Sequence, residues 1–193
     1  MKLFLLFLFL SFILPTWGHN FPGKADQKIL GSNEQAKNFT LPYYDTQSKK
    51  FNLKENYPAS NLVFVFFASW CSHCQKDIPG IDSIKDKYPG TKFIAVNAME
   101  TADEIKAFFK KFNLSLPCLM DEKGDVIKLY GITGIPAFLV LNKSGEQLML
   151  GNFSIVELES LLKNLRFQKP GKGDTSRPEE EGCHDGICPI PKF

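Results

Sequence analysis

Cys71 and Cys74 stand two residues apart in the segment Ala68-Ser69-Trp70-Cys71-Ser72-His73-Cys74-Gln75-Lys76-Asp77-Ile78-Pro79. Upstream, Asn61 to Ser69 is a continuous apolar, β-branched and aromatic run, and downstream apolar residues recur at helical spacing. The pair therefore falls where a strand ends and a helix begins. A thiol at a helix N-terminus faces unpaired backbone N–H groups and the positive end of the helix dipole. Both favour the thiolate, which is the form that attacks disulfides. The spacing lets the second thiol reach the first within one helical turn, so a mixed disulfide formed at Cys71 is open to resolution by Cys74. The same thiols would also serve as a structural disulfide or as half of a zinc site. A zinc site needs about two more nitrogen or sulfur ligands near by. Cys183, His184 and Cys188 would have to supply them across a long polar stretch, so redox chemistry is the reading adopted.

Other side chains around the pair bear on the same chemistry. His73 lies between the thiols, where a partly positive imidazole stabilises the Cys71 thiolate and makes the disulfide more oxidising; the alternative is an exposed turn residue of little effect. Cys74 must lose a proton before it can attack, and Asp77, three residues on, is a candidate buried acid to relay it. An exposed first-turn aspartate that favours the helix dipole is the competing reading. Trp70 is expected to pack over the site and shape it, or to be a structural aromatic. Cys118 falls in a short apolar strand and reads as a buried free thiol. Cys183 and Cys188 are read as a small local disulfide, with a tethered second redox pair or a soft-metal ligand set with His184 as alternatives.

The elements that must position these residues follow from periodicity. Phe39-Thr40-Leu41-Pro42 and Phe51-Asn52-Leu53 are short strand pieces around a turn. Asn61 to Ser69 suits a central strand buried on both faces. Cys74 to Tyr88 has helical spacing, with Pro79 expected to kink it. Lys92 to Asn97 is a second strand, and Thr101 to Phe112 a helix with Ile105, Phe108, Phe109 and Phe112 on one stripe. A strand at Pro117 to Met120, a helical turn at Val126 to Tyr130 and a hairpin of Ala137 to Leu141 with Glu146 to Gly151 come next. Ser154 to Leu165 closes the series as a helix, Ser154 and Glu157 forming a capping box. Strands alternating with helices and ending in a hairpin give an α/β class with a mixed sheet.

The chain of 193 residues is long enough for one domain with a sizeable core. Its net charge of +2, without a basic run interleaved with aromatics, argues against nucleic acid as a partner. Residues 1–18 read as a signal peptide: Lys2, the apolar run Leu3 to Leu14, then Pro15 and Thr16-Trp17-Gly18. The run is short of the roughly 20 residues of a bilayer span, and an uncleaved anchor is the alternative. Residues 19–37 read as a linker, 38–167 as the folded domain and 168–193 as a Pro/Gly/charge-rich tail carrying Cys183 and Cys188. Five cysteines in an exported chain suggest disulfides, and the odd count leaves at least one without an internal partner.

Trp70-Cys71-x-x-Cys74 after an apolar strand, followed by Gly134-Ile135-Pro136-Ala137-Phe138 before another, resembles the thioredoxin superfamily. Within it the chain is most similar to the exported TlpA/ResA-like thiol–disulfide oxidoreductases. Phe39-Thr40-Leu41-Pro42 resembles their N-terminal β extension, and Thr101 to Tyr130 their extra helix-strand insertion. Asp77 stands where that branch usually carries Glu. The resemblance covers residues 38 to 166 and implies a thioredoxin-like fold, a central mixed β-sheet flanked by helices. It implies that Pro136 is a cis-proline opposite the nucleophile, which with Ile135 offers a backbone edge to substrate. Ile135 resembles the reductases of the superfamily. His73 departs from the ResA-like pattern, where Pro is more frequent, and points toward oxidases and isomerases. Thioredoxin's buried Asp has Val65 in its place here.

The expected activity is extracytoplasmic exchange of disulfides with protein substrates through Cys71 and Cys74, in the direction of a reductase as the resemblance suggests; it needs no organic cofactor and no metal, because the electrons reside in the thiols. The expected partners are protein thiols and disulfides, of which apocytochrome c is an example the resemblance suggests, and a membrane electron donor that recharges the pair. Compartments are the periplasm or an equivalent space. Rival readings are a disulfide oxidase or isomerase, and a copper-binding chaperone using Cys71, His73, Cys74 or the tail.

Overall fold

Six consecutive residues, Leu62 to Phe67, are completely buried. A strand with no exposed face needs cover on both sides, and the architecture of the chain supplies it. The computed structural model describes residues 28–167. The leader at 1–18, residues 19–27 of the linker, and the tail 168–193 with Cys183, His184 and Cys188 lie outside the described residues. Along the chain run β1 (Ile29–Leu30), β2 (Thr40–Pro42), β3 (Lys50–Asn52), α1 (Leu53–Asn56), β4 (Asn61–Phe67), α2 (Ser72–Ile84), β5 (Thr91–Ala98), α3 (Ala102–Phe112), β6 (Cys118–Asp121), α4 (Asp125–Leu129), β7 (Ala137–Leu141), β8 (Gln147–Gly151) and α5 (Ile155–Phe167). The main sheet has the order β1-β8-β7-β4-β5-β6. β4, β5 and β6 are parallel neighbours, whereas β7, β8 and β1 are antiparallel. This is the mixed sheet that the residue pattern predicts, in the thioredoxin-like arrangement that the resemblance implies.

Alternate residues of β4 build two cores, as the period of two in a strand requires. Val63, Val65 and Phe67 face Ile78 and Ile81 of α2, Ile105, Phe108 and Phe109 of α3, and Leu158 and Leu162 of α5. Leu62, Phe64 and Phe66 face the other way, onto Phe39, Leu41, Phe51, Leu53, Val126 and Tyr130. The hairpin of β2 and β3 is thus the cover for the second face. The rings of Phe39 and Phe51 meet Phe64 edge-on, with centroids 5.5 and 5.8 Å away. Each buried Phe contributes about 1.5–3 kcal/mol by area removed from water.

Two departures from the sequence pattern affect the site. α2 begins at Ser72, two residues before the apolar spacing marks it, and passes through Pro79 to Ile84 before a 3-10 turn at Lys85–Lys87. Its first turn is polar, so apolar periodicity could not register it. Ile29–Leu30, inside the segment read as a linker, pairs with Leu150 and Met149 of β8. β8 offers an open edge, and two residues suffice to pair with it while being too few to show a period. α2 and α5 lie close: a Cβ on Gly80 would come 2.9 Å from Ile155 Cδ1.

Capping boxes start two of the helices, and the one at Ser154 is the one that the residues suggest. Thr101 and Glu104 form a capping box on α3. At α5 the Glu157 carboxylate accepts from the Ser154 N–H and hydroxyl, both at 2.8 Å, and from Lys28 at 3.0 Å. The Ser154 backbone N–H first, then Lys28 and the Ser154 hydroxyl, pull Glu157 from 4.5 down to about 2. A depressed carboxylate stabilises the fold above its unfolded value and loses that contribution as pH falls toward the folded one. The wild-type chain should therefore exceed Glu157→Gln in stability at neutral pH, and the gap should close between pH 4.5 and about 2. Thermal unfolding of both across that range checks it; a gap independent of pH would contradict the capping account.

Candidate active site

The C-terminal end of β4 delivers Ser69, Trp70 and Cys71 to the edge of the sheet where β5 and β6 also end, the edge at which parallel α/β sheets place their sites. Cys71 is the N-cap of α2, with extended φ −77° and ψ 111°. Its Sγ accepts the N–H of Cys74 at 3.1 Å, and its carbonyl accepts the N–H of Gln75 at 3.1 Å. Cys71 and Cys74 are joined by a disulfide, their Cα atoms 5.2 Å apart. The two sulfurs are unequal: Cys74 has no exposure, while Cys71 keeps 7% at the rim. Cys71 is thus the one that a second molecule can reach, and it is also the one at the helix N-terminus.

The Ile135–Pro136 bond is cis. It brings the Ile135 carbonyl oxygen to 3.7 Å from Cys71 Sγ. Asn152 Nδ2 donates to the Pro136 carbonyl at 2.8 Å and ties this loop to the start of α5. Trp70 does not pack into the interior; it is 69% exposed, beside the rim. His73 is exposed on the first turn of α2. Asp77 is half-buried on the next turn and makes no hydrogen bond or ion pair among the described residues. Val65 is wholly buried in the apolar core. Cys118 is a free, buried thiol on β6, two strands from β4, and burial pushes it well above the ordinary cysteine range.

Glu100 is the residue that sequence reasoning missed. It is only 5% exposed, just past the end of β5. It accepts the Ser69 N–H at 2.7 Å, a short hydrogen bond from the Ser69 hydroxyl, and Asn97 Nδ2 at 2.6 Å. On the other side of Ser69, its carbonyl accepts from Gln75 Nε2 at 2.8 Å. Ser69 is therefore gripped from β5 and from α2, two residues before Cys71. Asn97 interrupts an apolar strand, and that was the one hint available. Asn97 pairs with Phe67 across β4 and β5, and this register sets Glu100 beside Ser69.

Two open clefts of about 380 and 440 Å³ lie elsewhere, lined by residues such as Tyr43, Lys85, Phe93, Pro117 and Leu116. Neither of these two is lined by Cys71 or Cys74. Among the described residues no group of three or more His, Cys, Asp or Glu side chains gathers to hold a metal ion. No described helix is long and apolar enough to cross a membrane.

The AhpC/TSA family profile matches residues 32–146. Thiol-disulfide oxidoreductase ResA of Bacillus thuringiensis is 31% identical over 146 residues, 74% of this chain and 82% of that protein. Sporulation thiol-disulfide oxidoreductase A of Bacillus subtilis is 34% identical over 89 residues, 44% of this chain and 54% of that protein. Among solved structures, StoA from Bacillus subtilis superposes with TM-score 0.54 at 24% identity, covering 66% of this chain and 97% of that one. A secreted Mycobacterium tuberculosis disulfide oxidoreductase does so with TM-score 0.58 at 21% identity, covering 65% and 95%. At such identities the likeness to these structures speaks for the fold.

Removing the Glu100 carboxylate would strand the Ser69 N–H, the Ser69 hydroxyl and the Asn97 amide in a buried place. Each unsatisfied donor costs about 1–3 kcal/mol. Glu100→Ala should therefore lower the unfolding free energy of the oxidised chain by roughly 2–4 kcal/mol. Denaturant titration measures it; a loss below about 0.5 kcal/mol, the size of an ordinary surface change, would contradict the clamp.

Proposed function

We propose that this chain, which belongs to the AhpC/TSA family of thioredoxin-like proteins and is a thiol–disulfide oxidoreductase, works outside the cytoplasm as a reductase of protein disulfides. The unequal burial of the two sulfurs carries the assignment of roles. The Cys71 thiolate, at the rim and stabilised by the Cys74 N–H, attacks one sulfur of a substrate disulfide and expels the other as a thiolate. Cys74 then loses its proton and attacks Cys71 Sγ, which breaks the mixed disulfide and releases the second substrate thiolate. Two electrons leave the cysteine pair and reduce the substrate, and the pair ends as the Cys71–Cys74 disulfide. Burial of Cys74 keeps it from competing for substrate in the first step.

Further parts of the reading rest on the surroundings. The Ile135–Pro136 backbone borders Cys71 Sγ and would receive an extended substrate segment as a strand receives an edge. The exposed Trp70 would meet its side chains. The proton that Cys74 releases goes to the half-buried Asp77 or to solvent. Export is supported by the leader at 1–18. In an oxidising compartment a reductase needs a membrane electron donor to restore the dithiol. Apocytochrome c, whose haem-binding thiols must be kept reduced, is a substrate of the fitting class. The opposite direction, disulfide formation or shuffling, is the second reading, because His73 lies between the two thiols in the sequence, where a partly positive imidazole would favour the thiolate of Cys71. A copper-binding chaperone finds no ligand cluster among the described residues.

Equilibration of the full chain carrying Cys183→Ser and Cys188→Ser with glutathione buffers gives the reduction potential of the remaining pair. A value near or below about −230 mV, in the thioredoxin and glutaredoxin range, is expected. A value between about −120 and −180 mV would overturn the reductase direction in favour of an oxidase or isomerase. In the same background Cys74→Ser should accumulate a mixed disulfide on Cys71 with a model protein disulfide, and Cys71→Ser should form none; non-reducing electrophoresis separates the two results.

A further inference from the structure

Trp70 and Met99 are 69% and 58% exposed. Among the described residues they are the large exposed apolar side chains in loops that leave the C-terminal ends of parallel strands, Trp70 after β4 and Met99 after β5. We propose that Met99 is a specificity-determining residue: with Trp70 it grips an aliphatic or aromatic side chain that the substrate carries two residues from the cysteine attacked by Cys71. The substrates are thereby protein disulfides in extended segments with an apolar residue at that spacing. This rests on the oxidoreductase reading and deepens it by naming what the site selects.

The fold holds Met99 in place against the preference of its own backbone. Its φ is +58°, in the left-handed region. The other non-glycine residues with positive φ among the described residues are Asn33 and Asn113, a residue type that tolerates this conformation. The Met99 N–H donates to the Asp121 carbonyl at 3.1 Å, and the same carbonyl accepts the Gly124 N–H at 2.9 Å. Asp121 is buried, and its carboxylate accepts the N–H groups of Val126 and Ile127, both at 3.0 Å. The loop after β6 is thus a fixed seat, and the Met99 side chain lies on it. A Cβ on Gly124 would come 3.1 Å from Met99 Sδ and 3.2 Å from its Cγ. A lone exposed apolar side chain is ordinary. A pair beside a reactive sulfur, one of them held in a disfavoured conformation, points to function.

The order of the strands sets the spacing. β4 runs between β7 and β5. The Ile135–Pro136 loop enters β7, Cys71 follows β4 and Met99 follows β5, so the three stand in a row along one edge of the sheet. Neighbouring strands lie about 4.8 Å apart. The hydrogen bond from the Ser69 N–H to Glu100, 2.7 Å long, ties the loops that carry Trp70 and Met99 to each other. An extended substrate that borders Ile135 and offers its cysteine to Cys71 continues across this edge toward β5. It advances about 3.3 Å per residue, and alternate side chains point the same way. The side chain two residues from the cysteine therefore faces the rim about 6.6 Å farther on, at Trp70 and Met99.

The chemistry of the two side chains defines what fits between them. The Met99 thioether is unbranched and polarisable and adapts to aliphatic and aromatic shapes alike. The indole of Trp70 adds a broad apolar face. The Glu100 carboxylate, next in the chain, is turned inward onto Ser69 and Asn97 and offers nothing to a cationic or hydroxyl-bearing residue at this place. A polar side chain there would lose water without gaining a partner.

The test measures the rate at which the reduced full chain reduces two short glycine-based peptides, each a symmetrical disulfide dimer through a central cysteine. One carries leucine two residues to either side of the cysteine, the other serine. The wild-type chain should favour the leucine peptide by about tenfold. Met99→Asn, whose asparagine accepts the left-handed backbone, should bring that ratio to within about twofold and leave the rate on glutathione disulfide unchanged; Met99→Leu should keep the preference. A wild-type chain without preference, or a preference that survives Met99→Asn, would overturn the inference and leave the oxidoreductase reading standing. So would an equal slowing of all three disulfides by Met99→Asn, because Met99 would then act through Cys71 and not through the substrate. If the wild-type chain reduces none of the three, the oxidoreductase reading itself has failed.

Discussion

Everything at the site depends on one hydrogen bond, from the Cys74 N–H to Cys71 Sγ at 3.1 Å. It exists because a helix leaves its first N–H groups without partners, and the residue that caps α2 here carries sulfur where other helices carry an oxygen. The bond points partial positive charge at that sulfur, and the helix dipole adds to it. A cysteine elsewhere on α2 would meet neither. Cys74 shows the contrast: it lies three residues on, inside the apolar face with Ile78 and Ile81, and is fully buried.

That cap is only as well placed as the strand that leads to it. β4 is buried on both faces, hydrogen-bonded to β5 on one side and β7 on the other, and so is fixed in all directions. The same two neighbours finish the site. β5 leads to Glu100, which holds Ser69, and β7 follows the Ile135–Pro136 loop that borders Cys71. A buried carboxylate with three neutral donors and, among the described residues, no ion-pair partner is a costly group to place in a core. Its three hydrogen bonds offset that cost and fix the turn between β4 and α2. The N-terminal hairpin contributes at a distance: without Phe39 and Phe51 over Phe64, the second face of β4 would lie open.

How much of this could be read from the residues varied with the range of the interactions. β4 and β7 were legible because an apolar run of β-branched and aromatic residues has few other uses. The capping box at Ser154 was legible because it is local, closed within four residues. The start of α2 was hidden by its polar first turn. β1 was hidden because pairing with β8 needs a partner over a hundred residues away, and two residues show no pattern. Glu100 was missed for the same reason: its role depends on the register of β4 against β5, and Asn97 at the end of an apolar strand hinted at a polar partner without naming it. Trp70, expected over the site or as a structural aromatic, is exposed beside the rim, and no local pattern in the sequence foretold that exposure.

The central claim is that position, and not cysteine chemistry as such, makes Cys71 the reactive sulfur. The direct measurement is the rate at which iodoacetamide alkylates each thiol of the reduced chain at neutral pH, resolved by mass spectrometry. The account predicts that Cys71 reacts at least about tenfold faster than Cys74 and faster than a cysteine in an unstructured peptide, because thiolate fraction and access both favour it. Equal rates at the two positions, or Cys74 reacting first, would contradict it.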